Sequence, residues 1–265
     1  MMMMNKDFLT TYVGLAPLAL AIERSMECEI LSRVPFERPI LDIGCGDGIF
    51  AKVLFAERVD IGIDPNANEL ACARSLDAYV ELLECRGDAI PRPDSCYRTI
   101  FSNSVLEHIP QVDLVLREAY RLLAPGGAFY LTVPSDRFEQ YACISRLLSW
   151  LRLRRIQKLF RNFYNRFWAH YHCYSPELWA QRLRDAGFEI VASRSYAPGG
   201  ICTLDDFLAP FGVGGFVLKR AMNRWTLLPK LRRIIFAPAV VLINRLIQNA
   251  DQCNGGLVFL IARKS

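Results

Sequence analysis

The sequence predicts an α/β protein built on a doubly wound, seven-stranded sheet with two helical inserts. Two observations lead to this prediction. Apolar segments of strand length alternate with helical periods, and five strand signals follow one another in order. With 265 residues, of which 52% are hydrophobic, the chain is long enough to bury a full core around such a sheet.

The predicted elements alternate along most of the chain. Strands are predicted at 39–43, 59–63, 79–85, 97–102, 128–133, 188–195 and 256–263, and helices at 48–56, 66–75, 111–124 and 175–186. The helix at 175–186 has clear boundaries, because Ser175 and Pro176 favour a helix start and Gly187 favours its end. Near the N-terminus, residues 12–31 are predicted to form one amphipathic helix.

The domain organisation follows from where this alternation holds and where it breaks. Residues 1–36 are predicted to form an N-terminal helical cap, and residues 37–265 form one domain. The inserts lie at about 135–170, after the fifth strand, and at about 197–252, between the sixth and seventh strands. A connection that leaves a parallel strand departs from the carboxyl edge of the sheet, where ligands bind. The first insert is therefore predicted to cover a ligand site.

The most informative segment is the glycine-rich loop after the first strand. Residues 40–48 read ILDIGCGDG, a strand that ends in Asp42 and is followed by three alternating glycines. Gly44, Cys45 and Gly46 form the centre of the loop. Glycine lets the backbone turn sharply and approach a ligand with no Cβ in the way. The loop therefore predicts a site for a small-molecule cofactor.

Residues at the ends of the next strands support the same interpretation. Asp64 lies twenty residues after Gly44, at the end of the second strand, where nucleotide-binding βαβ units place the acid that holds the ribose hydroxyls. Asp88 and Ala89 follow the third strand, and Ser102 ends the fourth. These residues are candidates for the remaining contacts of the cofactor.

A nicotinamide-binding enzyme is the competing interpretation of this loop. Its fingerprint is G-x-G-x-x-G with a pyrophosphate on the helix N-terminus, whereas this loop has the spacing G-x-G-x-G. Asp47 lies between the last two glycines, and its carboxylate would repel a pyrophosphate. Both the spacing and the charge disfavour a nicotinamide cofactor.

These motifs, with VLEHIP at 105–110, resemble those of class I S-adenosylmethionine (SAM)-dependent methyltransferases of the group similar to the ubiquinone/menaquinone C-methyltransferases. The resemblance runs from about residue 38 to 136, with a further part at 170–195. It implies a Rossmann-like fold with the last strand antiparallel, SAM as the cofactor and methyl transfer as the activity.

The resemblance also implies a role for each candidate residue. In that family the loop matched by Asp42 to Gly48 holds the methionine part of SAM, and the acid matched by Asp64 binds the ribose. Asp88 would meet the adenine amino group, and Ala89 would contact the base through its backbone. Ser102 would face the methionine.

The charge of the chain is segregated between its parts. Residues 144–169 contain seven Lys or Arg and no acid, and residues 207–250 again contain seven and none, although the net charge of the chain is only +5. In the first insert an apolar stripe, Ile156, Leu159, Phe160, Phe163 and Phe167, recurs at helical spacing opposite basic residues. The stripe has two interpretations, a face that packs on the core or a contact with an anionic membrane surface or a lipid substrate.

The second insert has the same basic and aromatic composition, with Phe207, Phe211, Phe216 and Trp225. Two such inserts favour the membrane interpretation. Nucleic acid is the other polyanion that could bind, but no RNA-binding motif is recognised. No stretch has 18 or more continuous apolar residues, and the nearest, 234–247, is about fourteen long.

Three histidines are predicted to border the acceptor pocket, and they are the candidate catalytic residues. His108 follows the fourth strand, and His170 and His172 follow the first insert. Histidine titrates near neutral pH and suits proton removal from an acceptor, although methyl transfer needs a base only if the acceptor must lose a proton. Glu107 is interpreted as a helix N-terminal carboxylate. Metal binding is not predicted, since no second ligand pair accompanies His170 and His172.

Cysteine usage and the N-terminus predict a cytoplasmic location. Nine cysteines include no C-x-x-C pair, which indicates neither a disulfide framework nor a zinc ribbon. Pro17 interrupts the apolar run near the N-terminus, and no basic cluster precedes it, so a signal peptide is disfavoured.

The sequence therefore predicts a cytoplasmic, peripherally membrane-bound methyltransferase. Its acceptor is predicted to be a small molecule, lipid-linked or of glycan type. Two alternatives stay open, an RNA methyltransferase and a non-catalytic SAM-binding protein.

Overall fold

The sheet has seven strands in the order β3-β2-β1-β4-β5-β7-β6, as the computed structural model shows. The strands are β1 Ile40–Ile43, β2 Val59–Asp64, β3 Tyr79–Glu84, β4 Tyr97–Asn103, β5 Leu123–Pro134, β6 Glu189–Tyr196 and β7 Leu257–Arg263. β1 to β5 are parallel, and β7 is antiparallel to both β5 and β6. The predicted doubly wound, Rossmann-like sheet with an antiparallel last strand is confirmed. The structure describes residues 2–5, 7–249 and 254–265.

Helices cover both faces of the sheet. They are α1 Phe8–Leu15, α2 Leu18–Leu31, α3 Ile49–Leu54, α4 Ala67–Leu76, α5 Val112–Leu122, α6 Cys143–Trp150, α7 Arg154–Phe167, α8 Pro176–Asp185, α9 Gly199–Leu208, α10 Val213–Met222 and α11 Pro229–Asn249. One apolar layer includes side chains of α1 to α4, and the other includes α5 and α8. All four residues of β1 are buried, as expected for a central parallel strand with helices on both faces.

The N-terminal segment forms two helices, and the prediction of one helix over residues 12–31 was wrong. α1 ends at Leu15, Ala16 is extended, and α2 begins after Pro17. Proline has no backbone N–H to continue the ladder of α1, and it disfavours helical geometry in the residue before it. The break lets α1 pack against α11 while α2 packs against α3 and α9.

Both predicted inserts are helical. The first contains α6 and α7, and the second contains α9, α10 and α11, with Pro238 inside α11. The predicted end of the second insert, at residue 252, lies outside the described residues. The apolar stripe of α7 faces solvent, since Ile156, Leu159, Phe163 and Phe167 are 50 to 69% exposed and no residue of this helix is buried. The interpretation of the stripe as a core-packing face was therefore wrong.

One helical segment is long and apolar enough to cross a membrane by length and composition alone. It is 199–222, which joins α9 and α10 through a short 3₁₀ turn and has a mean hydropathy of 1.5. This segment is not a continuous apolar run in the sequence, because Asp205 and Asp206 interrupt it. Both aspartates line a cavity, and α9 packs against α2, so this segment is part of the folded domain.

Candidate functional site

The glycine loop lies at the carboxyl edge of the sheet, between β1 and α3. The backbone N–H groups of Gly44 and Cys45 both donate to the carbonyl of Ile63, each at a distance of 2.9 Å. These bonds tie the loop to the end of β2. Gly44 has φ +81°, and a Cβ there would lie 2.4 Å from Val105 Cγ1. A Cβ on Gly46 would meet nothing within 4 Å. The loop is closed against the protein at Gly44 and open at Gly46, as a cofactor site requires.

The candidate ribose acid lies directly beside this loop. Asp64 Oδ2 accepts a hydrogen bond from Gly46 N at 3.1 Å, and Oδ1 accepts one from Asn66 N at 2.8 Å. These two bonds fix the orientation of the carboxylate. Each oxygen keeps a second lone pair that could accept from a ribose hydroxyl.

Two other predicted cofactor residues lie beneath the loop, with their polar atoms in internal bonds. Asp42 is buried and accepts a hydrogen bond from Tyr79 Oη at 2.7 Å. Burial raises the pKa of Asp42 to about 7, and the hydrogen bond from Tyr79 opposes this shift. Ser102 Oγ donates to the carbonyl of Ile43 at 2.9 Å. Both side chains hold the strand ends that carry the loop.

Asp88 and Ala89 lie at the end of the third strand of the chain. The Arg86 guanidinium donates to both carboxylate oxygens of Asp88, at 2.9 and 2.6 Å, and this pairing lowers the pKa of Asp88. Ala89 is exposed, and its N–H donates to the carbonyl of Arg86 at 3.3 Å. The side chain predicted for the adenine amino group is thus held in its ionised form.

The second insert contacts the glycine loop through two side chains. Lys219 Nζ donates to Asp47 Oδ2 and to Glu69 Oε2, each at a distance of 2.8 Å. Trp225 Nε1 donates to the same Asp47 oxygen at 2.8 Å, and Lys219 lies over the Trp225 ring. The second insert is therefore part of the wall of the candidate cofactor site.

The charges around the loop fit SAM. Asp42, Asp47 and Asp64 bring carboxyl groups to one end of the sheet, and Lys219 is already paired with Asp47. Such a site suits a cofactor that carries a sulfonium and an ammonium group and no phosphate. The glycine loop leaves space for this cofactor at Gly46.

A second site lies beside the first, under both inserts. It is a cavity of about 240 Å³ whose wall includes α2, the 3₁₀ turn Leu106–His108, α7 and α9. Val105, which contacts Gly44, precedes that turn, so the cavity adjoins the cofactor loop. Carboxyl groups and aromatic rings face the cavity: Glu23, Glu107, Asp205, Asp206, Phe138, Tyr164, Trp168 and Phe216.

Two of the three candidate histidines line this cavity. The rings of His108 and His170 lie 5.1 Å apart, and His108 Nδ1 is 3.2 Å from the carbonyl of Ala169. Burial lowers the pKa of both imidazoles, to about 4 for His170, where His108 adds to the effect. Both rings are therefore neutral near pH 7.

His172 lies away from the cavity wall. Its Nε2 is 2.9 Å from the carbonyl of Ile109, and Tyr174 Oη lies 2.7 Å from its Nδ1. With both ring nitrogens in such contacts, His172 links the turn after β4 to the segment before α8.

Sequence reasoning missed most of the acidic residues of the cavity. Glu107 lies within a 3₁₀ turn and is only 3% exposed, and its Oε2 has no hydrogen-bond partner. Asp205 Oδ1 and His170 Nδ1 are likewise buried without a partner. The available signal was the pair Asp205 and Asp206 inside a long apolar helix, together with Glu23 inside apolar α2.

A buried carboxylate joins α2 to the sheet behind this cavity. Glu27 accepts hydrogen bonds from four side chains: Arg24 at 2.7 Å, Asn103 at 2.9 Å, Ser104 at 2.7 Å and Tyr196 at 3.1 Å. The network ties α2 to the ends of β4 and β6. Arg24 lines the cavity, and its charge is balanced by Glu27.

Metal ligands do not cluster in the described parts of the chain, 2–5, 7–249 and 254–265. Within them no group of three or more His, Cys, Asp or Glu side chains is arranged to hold a metal ion.

Comparisons with known proteins agree with this geometry. The family model described as "Methyltransferase domain" matches residues 21–193. Ubiquinone biosynthesis O-methyltransferase of Pectobacterium atrosepticum is 32% identical over 108 residues, which are 37% of this chain and 44% of that protein. Trans-aconitate 2-methyltransferase of Methylobacterium radiotolerans is 33% identical over 117 residues, 42% of this chain and 44% of that protein. The chain thus spans less than half the length of these curated relatives.

A solved structure extends the similarity of fold to nearly the whole chain. It is a SAM-dependent methyltransferase from Thermotoga maritima, described as a possible histamine N-methyltransferase. The match has a TM-score of 0.57 and covers 94% of this chain and 92% of that one, at 15% sequence identity.

Proposed function

Since the chain belongs to the methyltransferase domain family, we propose that it transfers a methyl group from SAM to a small-molecule acceptor linked to a lipid and held at a membrane surface. The observation that carries the acceptor half of this proposal is the solvent-facing apolar stripe of α7, which lies beside basic residues and next to the cavity. Exposed apolar side chains of this size in such number mark an interaction surface.

The proposed division of the site is a cofactor half and an acceptor half. Asp64 is assigned to the ribose, and Asp88 with the backbone of Ala89 to the adenine. The loop from Asp42 through Gly44, Cys45 and Gly46 is assigned to the methionine part, together with Ser102 at the strand end. The cavity under the inserts is assigned to the acceptor. Because Tyr164 of α7 lines the cavity, a lipid tail could rest against α7 at the surface while the head group enters.

The chain's own residues align the reactants in this proposal. When bound, SAM supplies a methyl group activated on a sulfonium sulfur. Alignment of the acceptor with that methyl group contributes roughly 7 to 11 kcal/mol when the geometry is good. Asp64, Asp88 and the loop from Asp42 to Gly46 would hold SAM, which would supply this methyl group to the acceptor. His108 and His170 are neutral, so the one unprotonated nitrogen of each ring can accept a hydrogen bond or a proton from the acceptor.

The ribose assignment predicts a specific loss of cofactor affinity. Asp64→Ala should weaken SAM binding by roughly 1.5 to 3 kcal/mol, because a charge-assisted hydrogen bond is lost. Titration calorimetry measures the change. An analogue of SAM with a 2′-deoxyribose is the control, since it already lacks one hydroxyl and should lose less affinity in the variant. Unchanged affinity for SAM itself would refute the assignment.

The surface assignment predicts weaker binding to anionic vesicles when charge is removed from the first insert. Replacing Arg152, Arg154 and Arg155 by glutamine should lower vesicle partitioning by roughly 10- to 100-fold, because each basic residue near an anionic leaflet contributes about 1 kcal/mol. Sedimentation with phosphatidylserine vesicles measures it.

The control for this experiment removes the same charge elsewhere. Arg117, Arg184 and Arg263 are exposed residues of α5, α8 and β7, outside both inserts. Their replacement by glutamine should leave partitioning unchanged within twofold. If both triple variants lost vesicle binding equally, the net charge of the protein would explain the effect. The first insert would then have no special role as a docking surface.

The activity is tested with radiolabelled SAM and a whole-cell extract that contains lipids, soluble metabolites and RNA. After incubation, the label is partitioned between organic solvent, water and acid precipitate. Label in the solvent phase supports a lipid-linked acceptor. Label in water or in an RNase-sensitive precipitate would replace that acceptor with a soluble molecule or RNA, and bound SAM with no transfer at all would indicate a SAM-binding protein without activity.

A further inference from the structure

The acceptor cavity is lined by acidic side chains, whereas the surface around it is basic. The two inserts are basic on their exposed faces, whereas the residues that line the cavity include four carboxyl groups. Arg24 is the one lysine or arginine among the described lining residues, and Glu27 already balances it. Among the charged side chains, the cavity therefore has an excess of carboxyl groups.

Three buried polar atoms of the cavity wall have no hydrogen-bond partner within the protein. Glu107 is nine-tenths buried, and its Oε2 has no partner, although buried polar atoms in folded proteins are almost always hydrogen-bonded. Asp205 Oδ1 is a second acceptor atom in the same condition, and His170 Nδ1 is a third polar atom. A ligand that donates several hydrogen bonds would satisfy them together.

The aromatic rings of the cavity favour a positively charged group among the ligands that donate hydrogen bonds. Tyr164, Trp168 and Phe216 line the cavity together with the carboxyl groups. Aromatic faces attract cations, and the attraction increases where water is excluded. A neutral hydroxyl would satisfy one acceptor atom, while a protonated amine offers up to three donors and a positive charge.

We infer that the cavity binds the acceptor through a protonated amino group, held by Glu107 and Asp205 and enclosed by aromatic rings. The acceptor is then an amphiphile with a cationic amine in its head group. This inference rests on the proposed function, because it takes the cavity as the acceptor site.

Burial of the carboxyl groups gives this inference a distinctive signature. Burial raises the pKa of Glu107 to about 8, and burial with the charge of Glu23 raises the pKa of Asp205. Without a ligand, Glu107 is therefore largely protonated at pH 7. A bound ammonium group favours the ionised carboxylate, so binding should release a proton from the protein.

The test compares two probes that differ only in the polar group. The full chain, saturated with S-adenosylhomocysteine, is titrated by calorimetry at pH 7 with n-octylamine and with n-octanol. We expect the amine to bind at least tenfold more tightly. Titrations in two buffers of different ionisation enthalpy should show proton release with the amine and none with the alcohol.

Variants assign the effect to the cavity. Glu107→Gln and Asp205→Asn should each lower amine affinity tenfold or more and leave octanol affinity unchanged. Glu189→Gln is the control, since Glu189 is an exposed carboxylate at the start of β6. Circular dichroism and S-adenosylhomocysteine affinity verify the fold of each variant. If one cavity variant fails to fold, the other still decides the question.

Equal affinity of the two probes, or amine binding that survives both substitutions, would overturn the inference. A failure of the amine inference can be distinguished from a failure of the proposed function. Transfer of label to lipids with no preference for the amine would leave the methyltransferase assignment standing and remove only the amine. Absence of S-adenosylhomocysteine binding would remove the proposed function itself.

Discussion

Replacing Glu27 by leucine is expected to lower the free energy of unfolding by roughly 3 to 5 kcal/mol, the range found when one partner of a buried ion pair is removed. The substitution nearly preserves side-chain volume and removes the acceptor of four hydrogen bonds. Arg24 would keep only a longer contact with Glu23, at 3.5 Å. The donors on Asn103, Ser104 and Tyr196 would lose this partner as well. Urea denaturation followed by circular dichroism measures the change.

The matched control for this prediction lies on the same helix. Glu29 pairs with Arg33 at the protein surface, where both side chains are more than half exposed. Its replacement by leucine should change the free energy of unfolding by less than 1 kcal/mol, because exposed ion pairs contribute little. A loss below 1 kcal/mol for Glu27→Leu would mean that the network does not stabilise the junction between α2 and the sheet.

Replacing Gly44 by alanine is expected to destabilise the glycine loop and abolish measurable SAM binding. The new Cβ would lie 2.4 Å from Val105 Cγ1, and the backbone there has φ +81°. Overpacking costs typically 1 to 3 kcal/mol, and a left-handed conformation costs a residue with a Cβ roughly 1 to 2 kcal/mol more. Thermal unfolding and cofactor titration on the same preparation measure both effects.

Two companion variants separate the steric part of this loss from the conformational part. Gly46→Ala also places a Cβ at positive φ, +51°, but with nothing within 4 Å of it. It should lose less stability than Gly44→Ala, while its methyl group points into the open side of the loop and weakens SAM binding. Adding Val105→Ala to Gly44→Ala removes both clashing methyl groups and should recover part of the lost stability. Equal stability losses at Gly44 and Gly46 would argue against the close approach of Val105.

Local patterns predicted the sheet and the residues that gather around the glycine loop. The position of Asp64 beside this loop follows from short segments in which strand, loop and acid are adjacent in sequence. Asp42 and Ser102 were identified from the same pattern, although their polar atoms bond to Tyr79 and to the β1 backbone. A local pattern indicates which residues lie at a strand end and does not specify their partners.

The acceptor half could not be predicted in this way, because its wall combines segments that are far apart in the chain. Glu23, Glu107 and Asp205 converge in space, and nothing in their local sequence indicates this. The period of α7 correctly predicted an amphipathic helix. Periodicity gives the direction of the apolar face relative to the helix and does not tell what covers it. For α7 the described part of the chain leaves that face to solvent.

The second insert contacts both the glycine loop and the cavity through one helix, α10. Phe216 on α10 lines the cavity, while Lys219 on the same helix holds Asp47 and Glu69. A rigid helix cannot withdraw from one ligand and keep its place at the other. Entry of the acceptor and exchange of the spent cofactor would then depend on one shared gate.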